Sequence, residues 1–371
     1  MKQFENKIYN NKSNRIISVD IFRGLTMAMM ILVNYPGSES YVYAPLEHSE
    51  WNGITPTDLI FPFFIFIVGV SIALSYTRQI EASKPRKEMV KKILVRTIKI
   101  YVIGLFLHYL PDLDFTRIDL FGVLQRIAIV FMVCALLFIY TNWKTQISIT
   151  VGILIVYWIT MSFIPTGAFG TGVLEPGVNF AAWFDRLFFS VKMIGKHGWN
   201  SEGLYSTFPA VATGLTGMLA GRLILSKKII ESTIIWLFIA GVACIVAGSI
   251  WGWQFPINKK IWTSSYVLYT SGWASVTLAV FLWFIDFLRY KNSLVARAGV
   301  IFGSNAIVIY VMADIFQTIY KYSHFHDFVY NGLSNHGMSE VNASLIWALI
   351  SVSSCFLVAY ILYRKKLFFK I

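Results

Sequence analysis

Ten apolar runs, each about the length of a membrane crossing, limit what this chain can fold into. They cover 16–35, 57–77, 93–110, 118–140, 146–164, 208–225, 232–252, 264–288, 296–320 and 342–363. A helix rises 1.5 Å per residue, so about 20 residues cross the roughly 30 Å hydrocarbon layer. The reading is one all-α polytopic membrane domain, 1–371, with about ten transmembrane helices. It has a short N-terminal segment, 1–15, and its longest outer loop is 165–207. Composition agrees: 56% of the 371 residues are hydrophobic and 14% are charged, where soluble domains carry roughly 25% charged residues. No segment between the runs is long enough to build a soluble domain. The first run holds Asp20 and Arg23 and has no small-residue cleavage site, so it reads as a span and not a signal peptide. Cys134, Cys244 and Cys355 all lie inside apolar runs, which excludes a disulfide framework or a CxxC metal site.

Lys and Arg orient the spans. With the N-terminus cytoplasmic, 22 of these side chains fall on the inner side and 7 on the outer side. Arg23, Lys99 and Arg126 lie within spans. The expectation is that both termini are cytoplasmic. The net charge of +13 is then largely topological, with basic loops facing anionic headgroups. It is spread over many short loops, which argues against a nucleic-acid partner. Some of these cations could instead hold the phosphates of a cytoplasmic nucleotide-like ligand.

Two constellations stand out. The first is 46–69, LEHSEWNGITPTDLIFPFFIFIVG, which sets Glu47, His48, Glu50, Trp51, Asn52 and Asp58 at the mouth of the second run. Ionisable groups at such a position are functional candidates; the plainer reading is a loop histidine near a helix end. On the same outer side, 165–207 holds His197, Trp199, Asn200, Glu202 and Tyr205, and its stretch 180–194 mixes aromatics with Arg186 and Lys192 as an interfacial helix would. The loop 321–341 contains His324, His326, Asp327 and His336, but no fixed metal-ligand set, and no metal is expected.

The second constellation lies inside the apolar runs. Asp20 and Arg23, three residues apart, share a helix face and could pair. Asn34 ends the same span about three turns on. Arg126 follows Gly122 and Gln125, and Asn305 follows Gly303 and Ser304. Such residues either neutralise one another as braces or line a polar cavity reaching toward His48. Pro62, Gly104, Gly122 and Gly303 either shape that cavity or pack helices closely.

Several stretches resemble the heparan-α-glucosaminide N-acetyltransferase family of transmembrane acetyltransferases. They are SVDIFRGLTMAMMILVNYPG (18–37), HSEWNGITPTDLIFPFFIFIVG (48–69), RIDLFGVLQRIAIVF (117–131), SEGLYSTFPAVATGLTGMLAG (201–221), INKKIWTSSYVLYTSGWA (257–274) and FGSNAIVIY (302–310). They run in family order over nearly the whole chain. The resemblance implies transfer of an acetyl group from cytoplasmic acetyl-CoA to the amino group of a glucosamine unit on the far side of the membrane. It makes His48 catalytic and puts Asn34 close to the chemistry. It also implies a compact bacterial-type member in the cytoplasmic membrane, with a homodimer by analogy. Asn200 and Ser201 stand where the family often has Asp-Pro.

Chemistry makes these roles sensible. An amine attacks a thioester only as the free base, and a neutral imidazole can take its proton or accept the acetyl group itself. Asn34 can donate to the oxyanion. Asp58, Glu47 or Glu50 could orient the imidazole. Arg23, Arg96, Arg126 and Arg297, with Asp20 and Asn305 near them, are the candidates for holding CoA phosphates. Trp51, Asn52, Glu50 and Glu202 are candidates for the sugar. Two alternatives remain at this point: a secondary transporter of sugars or anions, and an O-acyltransferase on the same scaffold.

Overall fold

A computed structural model describes residues 16–110, 119–194, 198–226 and 229–369; His197 and the segment 1–15 lie outside the described residues. The helices are α1 (Ile17–Asn34), α2 (Ile60–Glu81), α3 (Arg86–Tyr109), α4 (Val123–Tyr140), α5 (Trp143–Phe163), α6 (Phe180–Phe188), α7 (Val191–Ile194), α8 (Leu204–Ser226), α9 (Ile230–Trp251), α10 (Ser264–Phe281), α11 (Leu294–Ser304), α12 (Ala306–Tyr322), α13 (Phe325–Asn335) and α14 (Glu340–Arg364). A π-helical segment, Leu282–Phe287, continues α10. The described residues form no strand.

Among the described residues, each apolar run is largely helical, and eight helical segments are long and apolar enough to cross a membrane. The ninth run is two helices, α11 and α12, bent by 84° where Asn305 leaves helical geometry with φ −134° and ψ 39°. The third run is α3, which carries Arg86, Lys87, Lys91, Lys92, Arg96 and Lys99 and falls short of the others in apolarity. The chain is an integral membrane protein.

Local sequence explains the helix starts. Asn142, Asn179, Thr263 and Ser293 each accept a backbone N–H of the first turn of α5, α6, α10 and α11, as short polar side chains do at N-caps. α2 is preceded by a 3-10 turn, Pro56–Leu59, closed by a capping box between Thr55 and Asp58. Pro62 sits in the first turn of α2, where its missing N–H has no intrahelical partner to lose. It therefore leaves the helix unbroken.

Glycines set the helix spacing. A methyl group on Gly24 of α1 would overlap the Gly299 carbonyl oxygen of α11, and one on Gly303 would overlap the Asp20 carbonyl. On α2 and α8, Gly69 lies against Gly214 and Gly217 against Phe66 in the same way. Close packing is thus the role of Gly303, which also borders a cavity. Gly69→Val should cost about 3 kcal/mol or more through overpacking. The expected readout is a large drop in monodisperse protein and in unfolding temperature; an unchanged unfolding temperature would refute this account of the α2–α8 contact.

Candidate active site

The loop between α1 and α2 folds back on Asp58. This carboxylate is fully buried, while the His48 side chain is 41% exposed. Asp58 Oδ2 accepts the backbone N–H groups of Ser49 and Thr55, each at 3.1 Å, and the Thr55 hydroxyl at 3.1 Å. The Tyr266 hydroxyl donates to the Asp58 carbonyl at 2.6 Å. Its second carboxylate oxygen, Oδ1, lies 2.7 Å from His48 Nδ1. An ionised carboxylate only accepts, so Nδ1 carries a hydrogen, and in the neutral ring that leaves the lone pair on Nε2.

Lys259, from the turn between α9 and α10, completes the group. Its Nζ is 3.4 Å from Asp58 Oδ1, 3.0 Å from His48 Nδ1 and 3.4 Å from Nε2. Burial lowers the pKa of Lys259 from the usual lysine range, while the charges of Asp58 and Glu202 act in the opposite sense. Neighbouring Lys260 donates to the Glu50 carbonyl at 2.7 Å.

His48, Asp58 and Lys259 line a cavity of about 300 Å³ together with Asn34, Glu202 and Met30. Glu202 accepts the Ser201 hydroxyl at 2.6 Å. Trp51 meets Trp199 edge to face at 5.5 Å, and Asn52 accepts from Asn258 at 3.1 Å. Trp51, Asn52 and Glu50 lie in this loop without lining the cavity. Nearby, Asp185 of α6 accepts the Tyr205 N–H at the start of α8, 2.9 Å away, and burial pushes its carboxyl up to about 6.

A second cavity, of about 230 Å³, is lined by Arg23, Arg96, Tyr76, Ser304, Asn305 and Phe369, among others. Asp20 pairs with Arg23 at 2.8 Å, as their spacing led us to expect, and Arg23 Nε donates to the Gly303 carbonyl at 2.9 Å. Arg96 lies over the Phe131 ring at 4.6 Å. Asn305 donates to the Leu367 carbonyl and accepts the Phe369 N–H, each at 2.9 Å.

The two cavities follow the same helices. On α2, Ile60 and Phe61 border the His48 cavity and Phe64 the Arg23 cavity; on α4 the division falls between Val123 and Ile127. These steps of three and four residues are about one helical turn, or roughly 5 Å, while on α1 Arg23 and Met30 stand about two turns apart.

Of the four candidate arginines, Arg126 and Arg297 line neither cavity. Arg126 is 1% exposed. It donates to the Ser201 carbonyl at 2.7 Å and to Ser206 and Thr207, and it stacks on Trp262 at 4.8 Å. It braces α4 against α8 from beneath Glu202. Arg297 of α11 is exposed. His326 Nε2 lies 2.9 Å from the Gly37 carbonyl, so it donates there and ties α13 to the end of α1. Among the described residues, no His, Cys, Asp and Glu group has metal-holding geometry.

With this geometry in hand, comparison with known proteins is direct. Residues 15–249 match the family described as "Heparan-alpha-glucosaminide N-acetyltransferase, catalytic". The chain belongs to this family. It is 26% identical to the heparan-alpha-glucosaminide N-acetyltransferase of Mus musculus, over 97% of this chain and 61% of the mouse protein. It is 28% identical to the Homo sapiens protein of the same name, over 96% of this chain and 60% of that protein. The chain thus spans about three fifths of the length of these relatives.

The matched region holds His48, Asp58, Asn34 and Glu202 but stops before Lys259. Lys259 is the site residue missing from the sequence candidates, although it lies in the 257–274 stretch that resembles the family. Its one signal was a Lys-Lys pair inside a short loop on the side where cations are scarce.

Proposed function

We propose that this protein is a transmembrane N-acetyltransferase. It takes the acetyl group of acetyl-CoA and transfers it to the amino group of a glucosamine-type sugar. The observation that carries this reading is the His48–Asp58 pair at 2.7 Å, on the wall of a cavity about one to two helical turns from a second, arginine-bearing one. In this reading both termini are cytoplasmic, α3 crosses the membrane, CoA enters the Arg23 cavity from the cytoplasm, and the sugar enters the His48 cavity from the opposite side.

Each residue then has a task. Arg96 and Arg23 meet CoA phosphates, which suit planar guanidinium donors. The thioester lies where the cavities approach each other. Nε2 of His48 is the free lone pair, and Asp58 holds the ring so that this nitrogen faces the cavity. It takes the proton that the amine loses on attack, and the sulfur leaves with a proton as the CoA thiol. If the acetyl group instead rests on the protein between donor and acceptor, the same nitrogen carries it. Asn34 donates to the oxygen on which charge develops. Glu202 faces the acceptor amine.

The test is purified protein in liposomes with labelled acetyl-CoA and glucosamine. Release of CoA together with labelled N-acetylglucosamine is expected. Folded protein that releases no CoA with any amino sugar would overturn the reading. Within the same assay, Arg96→Ala should raise KM for acetyl-CoA by about tenfold or more, the cost of one charge-assisted contact, with kcat nearly unchanged. An unaltered KM would remove Arg96 from the donor site.

A further inference from the structure

We propose that Lys259 is a catalytic residue, whose ammonium donates to the acetyl oxygen as negative charge gathers on it. This rests on the acetyl-transfer reading of the site, and it adds a cation from a part of the chain that the family match does not reach.

In either route of transfer the acetyl carbon must come within about 3–3.5 Å of the attacking atom, which is Nε2 itself or an amine hydrogen-bonded to it. Lys259 Nζ is 3.4 Å from Nε2 and lines the same cavity. A carbonyl oxygen bonded to that carbon therefore falls within reach of Nζ. The ammonium cannot hydrogen-bond Nδ1, 3.0 Å away, because Nδ1 carries the hydrogen given to Asp58. Asp58 Oδ1 at 3.4 Å anchors the ammonium from one side, leaving its other N–H groups for the cavity. The charged groups that face Lys259 are Asp58, Glu202 and Lys260. Burial lowers the pKa of Lys259, and the two carboxylates oppose that lowering.

The step balances without any further reagent. The nucleophile's lone pair forms the bond to the acetyl carbon, and the C=O π pair moves to oxygen, where Lys259 meets it. Collapse re-forms C=O, and the C–S pair leaves with sulfur. In direct transfer the sulfur takes up the proton that His48 removed from the amine; where Nε2 is the nucleophile the sulfur leaves as thiolate, the amine then displaces the acetyl group from Nε2, and the proton that the amine loses completes the CoA thiol.

Two measurements test the proposal. In acetyl transfer, Lys259→Met should lower kcat by about 100-fold or more, the usual effect of removing one oxyanion donor, with KM for acetyl-CoA changed less than about threefold. Lys259→Arg should recover a good part of kcat. A folded K259M enzyme with near-normal kcat would overturn the proposal, as would K259R no better than K259M. The second measurement does not depend on the natural substrate. Diethylpyrocarbonate acylates imidazole through a tetrahedral oxyanion, and His48 is exposed enough to be reached. Its modification rate, followed by peptide mass spectrometry, should fall about tenfold in K259M, while exposed His324 is unaffected. An unchanged or faster rate at His48 would overturn the proposal. If wild type transfers no acetyl group yet K259M slows His48 acylation, the proposed substrate fails and the role of Lys259 stands.

Discussion

Replacing His48 by alanine is expected to lower kcat for acetyl transfer by about three orders of magnitude, with the protein still folded. The magnitude follows from losing a positioned proton acceptor, which is worth 10²- to 10⁴-fold; if Nε2 carries the acetyl group, the loss is larger still. The fold should survive because His48 contributes little to the core: its side chain is 41% exposed, and Asp58 keeps three other donors when the ring is gone. Acetyl-CoA binding should persist, since the arginine cavity does not include His48. Labelled acetyl-CoA measures both: retained binding with no labelled sugar is the expected pair of results. Near-normal turnover in the variant would end the mechanism.

Asp58→Asn should cost about 10³- to 10⁴-fold in kcat, comparable to the same change in a serine-protease triad. The asparagine fills the same volume but presents an NH₂ group as well as an oxygen. If that NH₂ turns to Nδ1, the ring must accept there and carry its hydrogen on Nε2, the wrong tautomer for taking a proton. The readout that separates this from simple damage is the unfolding temperature. Asp58→Asn should keep much of its loop, because the asparagine oxygen can still accept from Ser49 and Thr55. Asp58→Ala, which leaves the loop's donors without an acceptor, should lose stability as well as rate. Equal unfolding temperatures for the two variants, or an active Asp58→Asn enzyme, would count against the dyad.

The sequence carried the helices well, because a span must be apolar over a fixed length and this chain repeats that pattern. It carried His48 and Asp58 as candidates because ionisable residues are conspicuous beside apolar runs, and ten residues separate them. It could not choose Asp58 over Glu47 and Glu50, since that choice depends on how the 35–55 loop folds back. Lys259 was hard to read for a stronger reason: its contact with His48 spans 211 positions, and the Lys-Lys pair that marks it locally says nothing of that partner. Arg126 shows the opposite failure. Its position inside a span suggested a ligand for phosphate, yet the Ser201, Ser206 and Thr207 partners that occupy it lie 75 to 81 residues away. The bend at Asn305 has no proline to announce it. Pro62, which could have marked a break, falls in a first turn where it changes nothing.

The glycine contacts of α1 with α11 and of α2 with α8 bear on how substrates must arrive. Helices that touch backbone to backbone have no layer of side chains to act as a bearing. Sliding either pair by a third of a turn would drive neighbouring side chains into main chain. Transport proteins that expose one site alternately to two compartments need such sliding or rocking between their halves. Here α1 and α2, which border both cavities, lie backbone against backbone on α11 and α8, a packing that opposes such sliding. In the proposed reading, traffic is then limited to what the two cavities can hand to each other across about one to two helical turns.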